Sequence, residues 1–563
     1  MNILLVNLTR FGDLLQSQAA ITALNAMPDP AAGESRVGLV CLANFAFAAG
    51  FLRGLAHTFP LPKDAFLSGW NEQPGQSGAR PEAWLESLSA LWRWREETWR
   101  VFKPDLVCNL TPTVPARLLS RYLAGAAPLG GFGLDEAGFS QEGAWAAFLR
   151  GSTRSRFASP FNVIDLFRAV AGSRRGRTGD SVLRPRPEAD RAAARRRLES
   201  LMAEQYPAAG AARGFVGLQL GASEERRRWP LEYFVRLGQG LWRESRRLPV
   251  LLGSGGEREL AGRYAALNAQ GGDCPQVSLI GATSLEELAG VLECCSLVVS
   301  NDTGTLHLAA GLGRPVLGIF LATAQPWDTG PGLEGSLSLE PDLECHPCVF
   351  GRECPHGLRC RRAVSPEEVL RRSAEFLNTG SWGAATTDSG AAGHTARAWL
   401  TARDAAGLLA LRSLSGHGAQ PRSLWMMEQR HFLSQFLDRN PGADFQLRPA
   451  EGGQEAVAGF APEQRTRLLA ELANLASQLD LLLARGKVLS MRPLPQFREG
   501  FLESVCRLAR DFESSTFFPA LGFLWRTEMQ EQGSDLATAL RCAGQYSSLI
   551  NGLRRRFAGV EPV

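Results

Sequence analysis

Residues 297–320 read LVVSNDTGTLHLAAGLGRPVLGIF, and this stretch decides the fold. Leu297, Val298 and Val299 form a short, mostly β-branched apolar run, as in a strand buried on both faces of a parallel sheet. Asn301 to Thr305 break the run. A helix is predicted to begin near Leu306 and to close at Gly311–Pro315, and Val316 to Phe320 restart a strand. That order leaves the backbone N–H groups of Thr303, Gly304 and Thr305 at a helix N-terminus on the carboxyl edge of a sheet, where phosphate oxygens are favoured. Gly304 lets a ligand approach the backbone. Asp302 reads either as part of that anion site or simply as a helix cap.

Working outward, the same alternation covers the first two thirds of the chain. A strand at Ile3–Asn7, a turn through Leu8 to Gly12 and a helix from Asp13 to about Ala26 open it. Strands at Val37–Leu42 and Asp105–Leu110 and a helix at Pro115–Leu123 continue it. After an exposed Arg-rich helix at Glu188–Gln205, the pattern restarts with strands at Phe215–Leu220, Pro249–Leu252, Gln276–Ile280, Leu297–Ser300 and Val316–Phe320. Alternating strands and helices imply parallel sheets, so two doubly wound Rossmann-like domains are expected, 1–187 and 188–377, with a ligand cleft at the carboxyl ends of their strands. Residues 378–395, rich in Gly, Ala, Ser and Thr, read as a flexible linker. Residues 396–563 read as an all-α domain in which Leu468, Leu472, Leu475, Leu479 and Leu482 share one face, most simply as core.

With 563 residues and 45% apolar content the chain holds several cores. No apolar run approaches the ~18 residues that cross a bilayer, and the opening ILLV ends before Arg10 and Asp13, so a cytoplasmic location is expected. The odd total of 11 cysteines, two of them adjacent at Cys294 and Cys295, argues against a fully paired extracellular disulfide framework. A net charge of +4 is too small to imply nucleic acid as a partner, and because Lys stands only at Lys63, Lys103 and Lys487, a phosphate clamp would use arginine.

Four further segments carry chemistry. Asp13, at the helix start after the first strand, reads as a general base in the cleft or as an N-cap. The loop GASEERRRWP, Gly221 to Pro230, places Arg226, Arg227 and Arg228 where one of them reaches a diphosphate, the alternative being a solvated charge run. GSGGERE, Gly253 to Glu259, is a loose Gly-rich turn in which Glu257 is suited to accept ribose hydroxyls. Finally, CHPCVFGRECPHGLRC supplies Cys345, Cys348, Cys354 and Cys360 with His346 and His356 between them. That spacing is compatible with structural zinc or an iron–sulfur cluster, and equally with reduced thiols or a local disulfide.

Taken together, ILLVNLTRFGDLLQSQAAITAL, KPDLVCNL, GASEERRRWP and SNDTGTLHLAAGLGRPVLGIF resemble glycosyltransferase family 9, the bacterial heptosyltransferases of lipopolysaccharide core assembly, over roughly residues 1–375. The resemblance implies a GT-B fold and an inverting transfer from a nucleotide-activated heptose, with ADP-heptose as donor and a lipid-linked or other surface glycan as acceptor. It implies no cofactor for transfer, with the Cys cluster then structural. On the same footing Asp13 matches the proposed catalytic base and Asp302 the group that holds the donor sugar. Thr303, Gly304 and His307 match positions around the donor diphosphate, and Arg228 matches the basic residue before Trp-Pro. The chain departs from the family in its helical domain after 395 and in a segment at Leu67–Arg100 that reads as an insertion. Arg154, Arg156, Arg174 and Arg175 are candidates for an anionic acceptor, and Arg554, Arg555 and Arg556 for peripheral membrane contact. Two other readings stand beside this one: a nucleotide-sugar epimerase on the same fold, and a degenerate transferase acting as a scaffold.

Overall fold

The computed structural model describes residues 1–28, 34–62, 81–152, 159–173, 176–272, 274–383, 396–449, 460–531 and 535–559, with side chains in the helix 81–101 described from residue 85 onward. The chain divides into two compact units. Unit 1 comprises Met1–Gly131, Asn162–Cys348 and Arg352–Ser415, and unit 2 comprises Phe132–Phe161, Val349–Gly351 and Gly416–Val563.

Unit 1 holds two sheets. The first contains β1 (Asn2–Val6), β2 (Arg36–Leu42), β3 (Leu55–Leu61), β4 (Leu106–Asn109) and β5 (Leu129–Gly131), all parallel, in the order β3-β2-β1-β4-β5. Ile3 to Val6 of β1 are wholly buried, as expected of an apolar strand flanked on both sides and covered on both faces. A short hairpin in unit 2, β6 (Gly133–Leu134) with β7 (Ser140–Gln141), follows. The second sheet contains β8 (Gly214–Gln219), β9 (Arg247–Leu252), β10 (Val277–Ser278), β11 (Cys295–Asn301), β12 (Val316–Ile319), β13 (Leu337–Pro341), β14 (Ala396–Arg403) and β15 (Leu409–Ser413), in the order β10-β9-β8-β11-β12-β13-β14-β15. It is parallel through β13. Its core joins Val216, Leu218, Leu297, Val299, Leu317 and Ile319 from the strands to Phe234, Leu237 and Leu241 from the helix Leu231–Ser245. Each such side chain contributes about 1.5–3 kcal/mol of burial.

Both sheets are thus doubly wound, the GT-B arrangement. In each, the strand order reverses beside the first strand, between β1 and β4 and between β8 and β11, and there the crossovers leave a crevice at the carboxyl ends.

Three expected boundaries differ in the structure. Residues 396–413 are not helical: β14 and β15 add antiparallel to the second sheet, with Leu337 opposite Leu400 and Trp399 opposite Ser413. ARAWLTAR alternates with period two and is followed by a turn in which Asp404 Oδ1 accepts from the N–H groups of Ala406 and Leu408, so the strand signal was present but short. The hairpin is anchored by a buried charge network. Asp165 Oδ2 accepts from Leu409 N–H at 2.7 Å, Arg168 bonds Asp165 and Asp180, and Arg403 bonds Asp180. Secondly, Phe132–Phe161 belongs to unit 2 and not to the N-terminal Rossmann-like domain. Thirdly, the expected linker begins late: the helix Pro366–Thr379 runs through Asn378, and Trp382 stacks on Phe376 at 4.3 Å, while 384–395 lie outside the described residues. The helix expected from Asp13 to Ala26 is two helices, Phe11–Gln16 and Gln18–Asn25, and part of the segment 67–100 is the helix Pro81–Val101.

Unit 2 is built mainly of helices: Ala144–Ser152, Pro421–Leu437, Pro462–Met491, Pro495–Ser514, Pro519–Arg526 and Leu536–Ala558. Leu468, Leu472, Leu475, Leu479 and Leu482 are buried along the helix Pro462–Met491. Arg439, Glu528 and the fully buried Tyr546 close a polar triad, in which Glu528 accepts from the other two.

Candidate functional site

The site is built where the two sheets reverse. β1 is followed by Asn7, by Thr9 and by the helix Phe11–Gln16, whose first turn carries Asp13. Asn7 Oδ1 accepts from the Thr9 N–H and hydroxyl, Thr111 Oγ1 accepts from Leu8 N–H, and Asn109 Oδ1 accepts from Thr111 N–H at 2.8 Å. The carboxyl edge of the first sheet is therefore lined by neutral polar groups that fix the loop leading to Asp13.

Across from it, β11 ends in Asn301, and Asp302 precedes the helix Gly304–Gly311, for which Thr303 is the N-cap. Thr303 makes no side-chain cap, so its N–H and those of Gly304 and Thr305 open the helix without an intrahelical acceptor. The fully buried Asn301 uses Nδ2 to donate to the carbonyls of Gln219, Leu220 and Gly221, and its Oδ1 accepts from Trp229 N–H at 2.9 Å. One side chain thereby fixes both ends of the loop after β8.

That loop brings Arg227 onto Asp302. Arg227 Nη2 donates to Asp302 Oδ2, which also accepts from Thr329 Oγ1 at 3.2 Å, while His307 Nε2 lies 3.6 Å from Oδ1. Asp302 is 8% exposed and His307 9%, so the group is desolvated. Arg227 Nε and His307 Nδ1 are buried with no hydrogen-bond partner among the described residues. Buried donors and acceptors of this kind are uncommon, and a cluster of them marks a ligand site or bound water.

The two helix starts face each other closely. A Cβ on Gly12 would meet Gly304 Cα and His307 Cδ2 at 3.4 Å, and a Cβ on Gly304 would meet Phe11 Cδ1 at 2.5 Å. A side chain at Gly304 would therefore hold the two halves apart. Gln16 and His307 line one small cavity together with Leu15 and Gly311, and Gln16 Nε2 is a third buried group without a partner among the described residues.

The remaining expected residues lie as follows. Arg228 Nε donates to the Ala222 carbonyl at 3.0 Å and its own carbonyl accepts from Arg361, so its guanidinium is spent on the loop. Thr305 Oγ1 donates to Gln219 Oε1 at 2.9 Å. Glu257 forms a capping box with Ser254, accepting from its N–H at 2.6 Å and its hydroxyl at 3.0 Å, and its Oε1 occupies the space where Gly221 lacks a side chain. Arg154, Arg156, Arg174 and Arg175 lie outside the described residues. Arg227, Asn301, Gln219 and Thr329 emerge from the structure as further members of the site. Gln219, a lone polar residue inside the apolar strand GFVGLQ, was a signal, whereas Thr329 had none nearby.

Cys345, Cys348, Cys354 and Cys360 are free thiols, and among the described residues no three His, Cys, Asp or Glu groups gather to hold a metal ion. His346 is taken by another partner: its Nε2 lies 3.1 Å from Glu340 Oε2, fully buried, with Trp399 Nε1 donating to the other carboxylate oxygen. Cys354 accepts from the N–H groups of His356 and Leu358, which hold its thiol below the usual range, while burial pushes Cys348 and Cys360 up.

Residues 186–356 match the family profile described as glycosyltransferase family 9 (heptosyltransferase). The chain is similar to lipopolysaccharide heptosyltransferase 1 of Pseudomonas aeruginosa, 34% identical over 129 residues, covering 23% of this chain and 34% of that protein. It is also similar to lipooligosaccharide heptosyltransferase 2 of Campylobacter jejuni, 27% identical over 169 residues, covering 29% of this chain and 50% of that protein. The chain therefore spans between a third and a half of the length of these relatives. Among solved structures, E. coli ADP-heptose LPS heptosyltransferase II aligns with a TM-score of 0.45 at 17% identity, covering 68% of this chain and 99% of that one.

Proposed function

Taking the glycosyltransferase family 9 segment at residues 186–356 as premise, we propose that this chain transfers a heptose from ADP-heptose to a lipopolysaccharide core or related surface glycan, with inversion. The observation that supports this reading is the close approach of Gly12, the neighbour of Asp13 in the chain, to Gly304 and His307. In this reading the donor diphosphate lies at the N-terminus of the helix Gly304–Gly311, where three N–H groups and the helix dipole favour negative charge. Arg227 balances Asp302 and adds positive charge as the nucleotide departs. Asp302 meets the sugar hydroxyls, and His307 lies beside the diphosphate. Asp13 takes the proton of the acceptor hydroxyl, which attacks the anomeric carbon from the face opposite the diphosphate; the C–O bond to phosphate breaks as the new glycosidic bond forms. The acceptor rests against the neutral polar edge of the first sheet, at Thr9 and Thr111. A cytoplasmic setting, where ADP-linked sugars and the inner membrane face are both accessible, completes the proposal. No helix among the described residues is long and apolar enough to cross a membrane.

Thermal unfolding with ADP, UDP, GDP and CDP tests the donor. A ligand at ~100 times its Kd adds about 2.7 kcal/mol of stability, so ADP alone should raise Tm clearly. Preference for UDP would change the donor and retain the fold, and indifference to all four would overturn the transferase reading.

A further inference from the structure

The helix Pro462–Met491 turns into the helix Pro495–Ser514 through Arg492, Pro493 and Leu494, and the tip of this hairpin combines two properties that soluble corners rarely share. The first is exposed apolar surface. Met491 is 74% exposed and Leu494 48%, with Val488 alongside. The second is basic charge at the turn itself, bounded by Asp480 on one helix and Glu499 on the other. Between Asp480 and Glu499 the sequence carries Arg485, Lys487, Arg492 and Arg498 and no acidic residue. Arg485 is turned inward, donating to Gly500 O at 2.8 Å and Ser504 Oγ at 2.7 Å. Lys487, Arg492 and Arg498 are exposed and make no ion pair among the described residues.

The tip is also firm. Arg492 N–H donates to Val488 O and Leu494 N–H to Arg492 O, each at 2.8 Å, so the turn needs no further ordering. Behind it Leu482 and Phe501 are buried, and a Cβ on Gly486 would meet Phe501 Cε2 at 3.1 Å, so the two helices pack tightly. By contrast, the basic C-terminal run expected to serve a membrane contact is partly used up, because Arg556 pairs with the buried Glu428.

We propose that this hairpin tip is a docking surface for an anionic phospholipid bilayer, with Met491 and Leu494 entering the headgroup–acyl boundary and Lys487, Arg492 and Arg498 meeting the phosphates. Charge complementarity selects this occupant. A second copy would bring cation against cation, and a bilayer accommodates unbranched and branched apolar side chains of any shape. The surface is independent of the sugar-transfer reading.

The test is co-sedimentation of the full-length protein with sucrose-loaded vesicles of 70:30 phosphatidylcholine and phosphatidylglycerol, against phosphatidylcholine alone. The wild type should pellet with the anionic vesicles, and release at 0.5 M salt, as an electrostatic surface requires. Replacing Lys487, Arg492 and Arg498 by Gln should weaken partitioning about fivefold per charge, on the order of a hundredfold together. Met491→Asn with Leu494→Asn should weaken it with no change in Tm, since both side chains are exposed. Failure of the wild type to bind, or equal binding by the Gln variant, overturns the proposal. So would sedimentation velocity without lipid showing a dimer that Met491→Glu dissolves, which reassigns the tip to a second copy.

Discussion

The two sheets of unit 1 share one strand order and differ in what they set at the carboxyl edge. The first presents Asn7, Thr9, Asn109 and Thr111, all neutral, and one carboxylate, Asp13. The second presents a desolvated Arg227–Asp302–His307 group beside an uncapped helix start. An edge of neutral donors and acceptors suits a polyhydroxyl acceptor, whose hydroxyls both give and accept hydrogen bonds. An edge with positive charge and free N–H groups suits a diphosphate. The same topology thus supplies two different crevices, and the division of labour between them lies in a handful of loop residues.

Asp13→Asn gives the largest expected effect. If the first edge supplies the base, kcat falls about a thousandfold while the Kd of the donor nucleotide is unchanged. Steady-state rates with nucleotide binding measured separately decide this, and a parallel loss of donor affinity would move Asp13 to the second edge. Arg227→Ala comes next. It leaves the buried Asp302 carboxylate without its cation, at a cost of about 2–4 kcal/mol in stability, and removes the nucleotide-induced rise in Tm. An unaltered nucleotide response would place the diphosphate elsewhere. The smallest effect addresses the seam between the edges. Gly304→Ala brings a Cβ to 2.5 Å from the Phe11 ring and should destabilise by about 1–3 kcal/mol. Pairing it with Phe11→Leu should restore much of that loss, and an additive double variant would show that the approach of the two halves does not depend on this contact.

Much of this was legible before the structure. The apolar runs at Ile3–Val6 and Leu297–Val299 announced parallel strands because burial on both faces demands continuous apolar, β-branched sequence. The NDTG turn after the second of them was legible because glycine and short polar side chains are what a tight strand-to-helix turn requires. The choice among Arg226, Arg227 and Arg228 was not legible. Adjacent side chains in an irregular loop point in directions set by the turn itself, and here Arg226 bonds Glu224, Arg228 bonds Ala222 O, and Arg227 alone reaches Asp302. Glu257, suited by its place in the Gly-rich turn to accept ribose hydroxyls, closes a capping box with Ser254 through Oε2, a contact the sequence does not reveal. The spacing of the four cysteines suggested a ligand set, yet His346 is held by Glu340, a residue five positions before the segment begins.

By itself the sequence determined the two doubly wound sheets, the leucine face of the long helix, and the glycine turn that opens the helix Gly304–Gly311, because each depends on a period or a backbone preference encoded over a few neighbouring residues. Only the tertiary structure decided that 396–413 complete the second sheet, that Phe132–Phe161 sides with the helical unit, and that Arg227, Gln219 and Thr329 join Asp302 and Thr305. Those outcomes rest on partners dozens to hundreds of residues away, and local sequence does not name such partners even where, as at ARAWLTAR and Gln219, it carries a local signal.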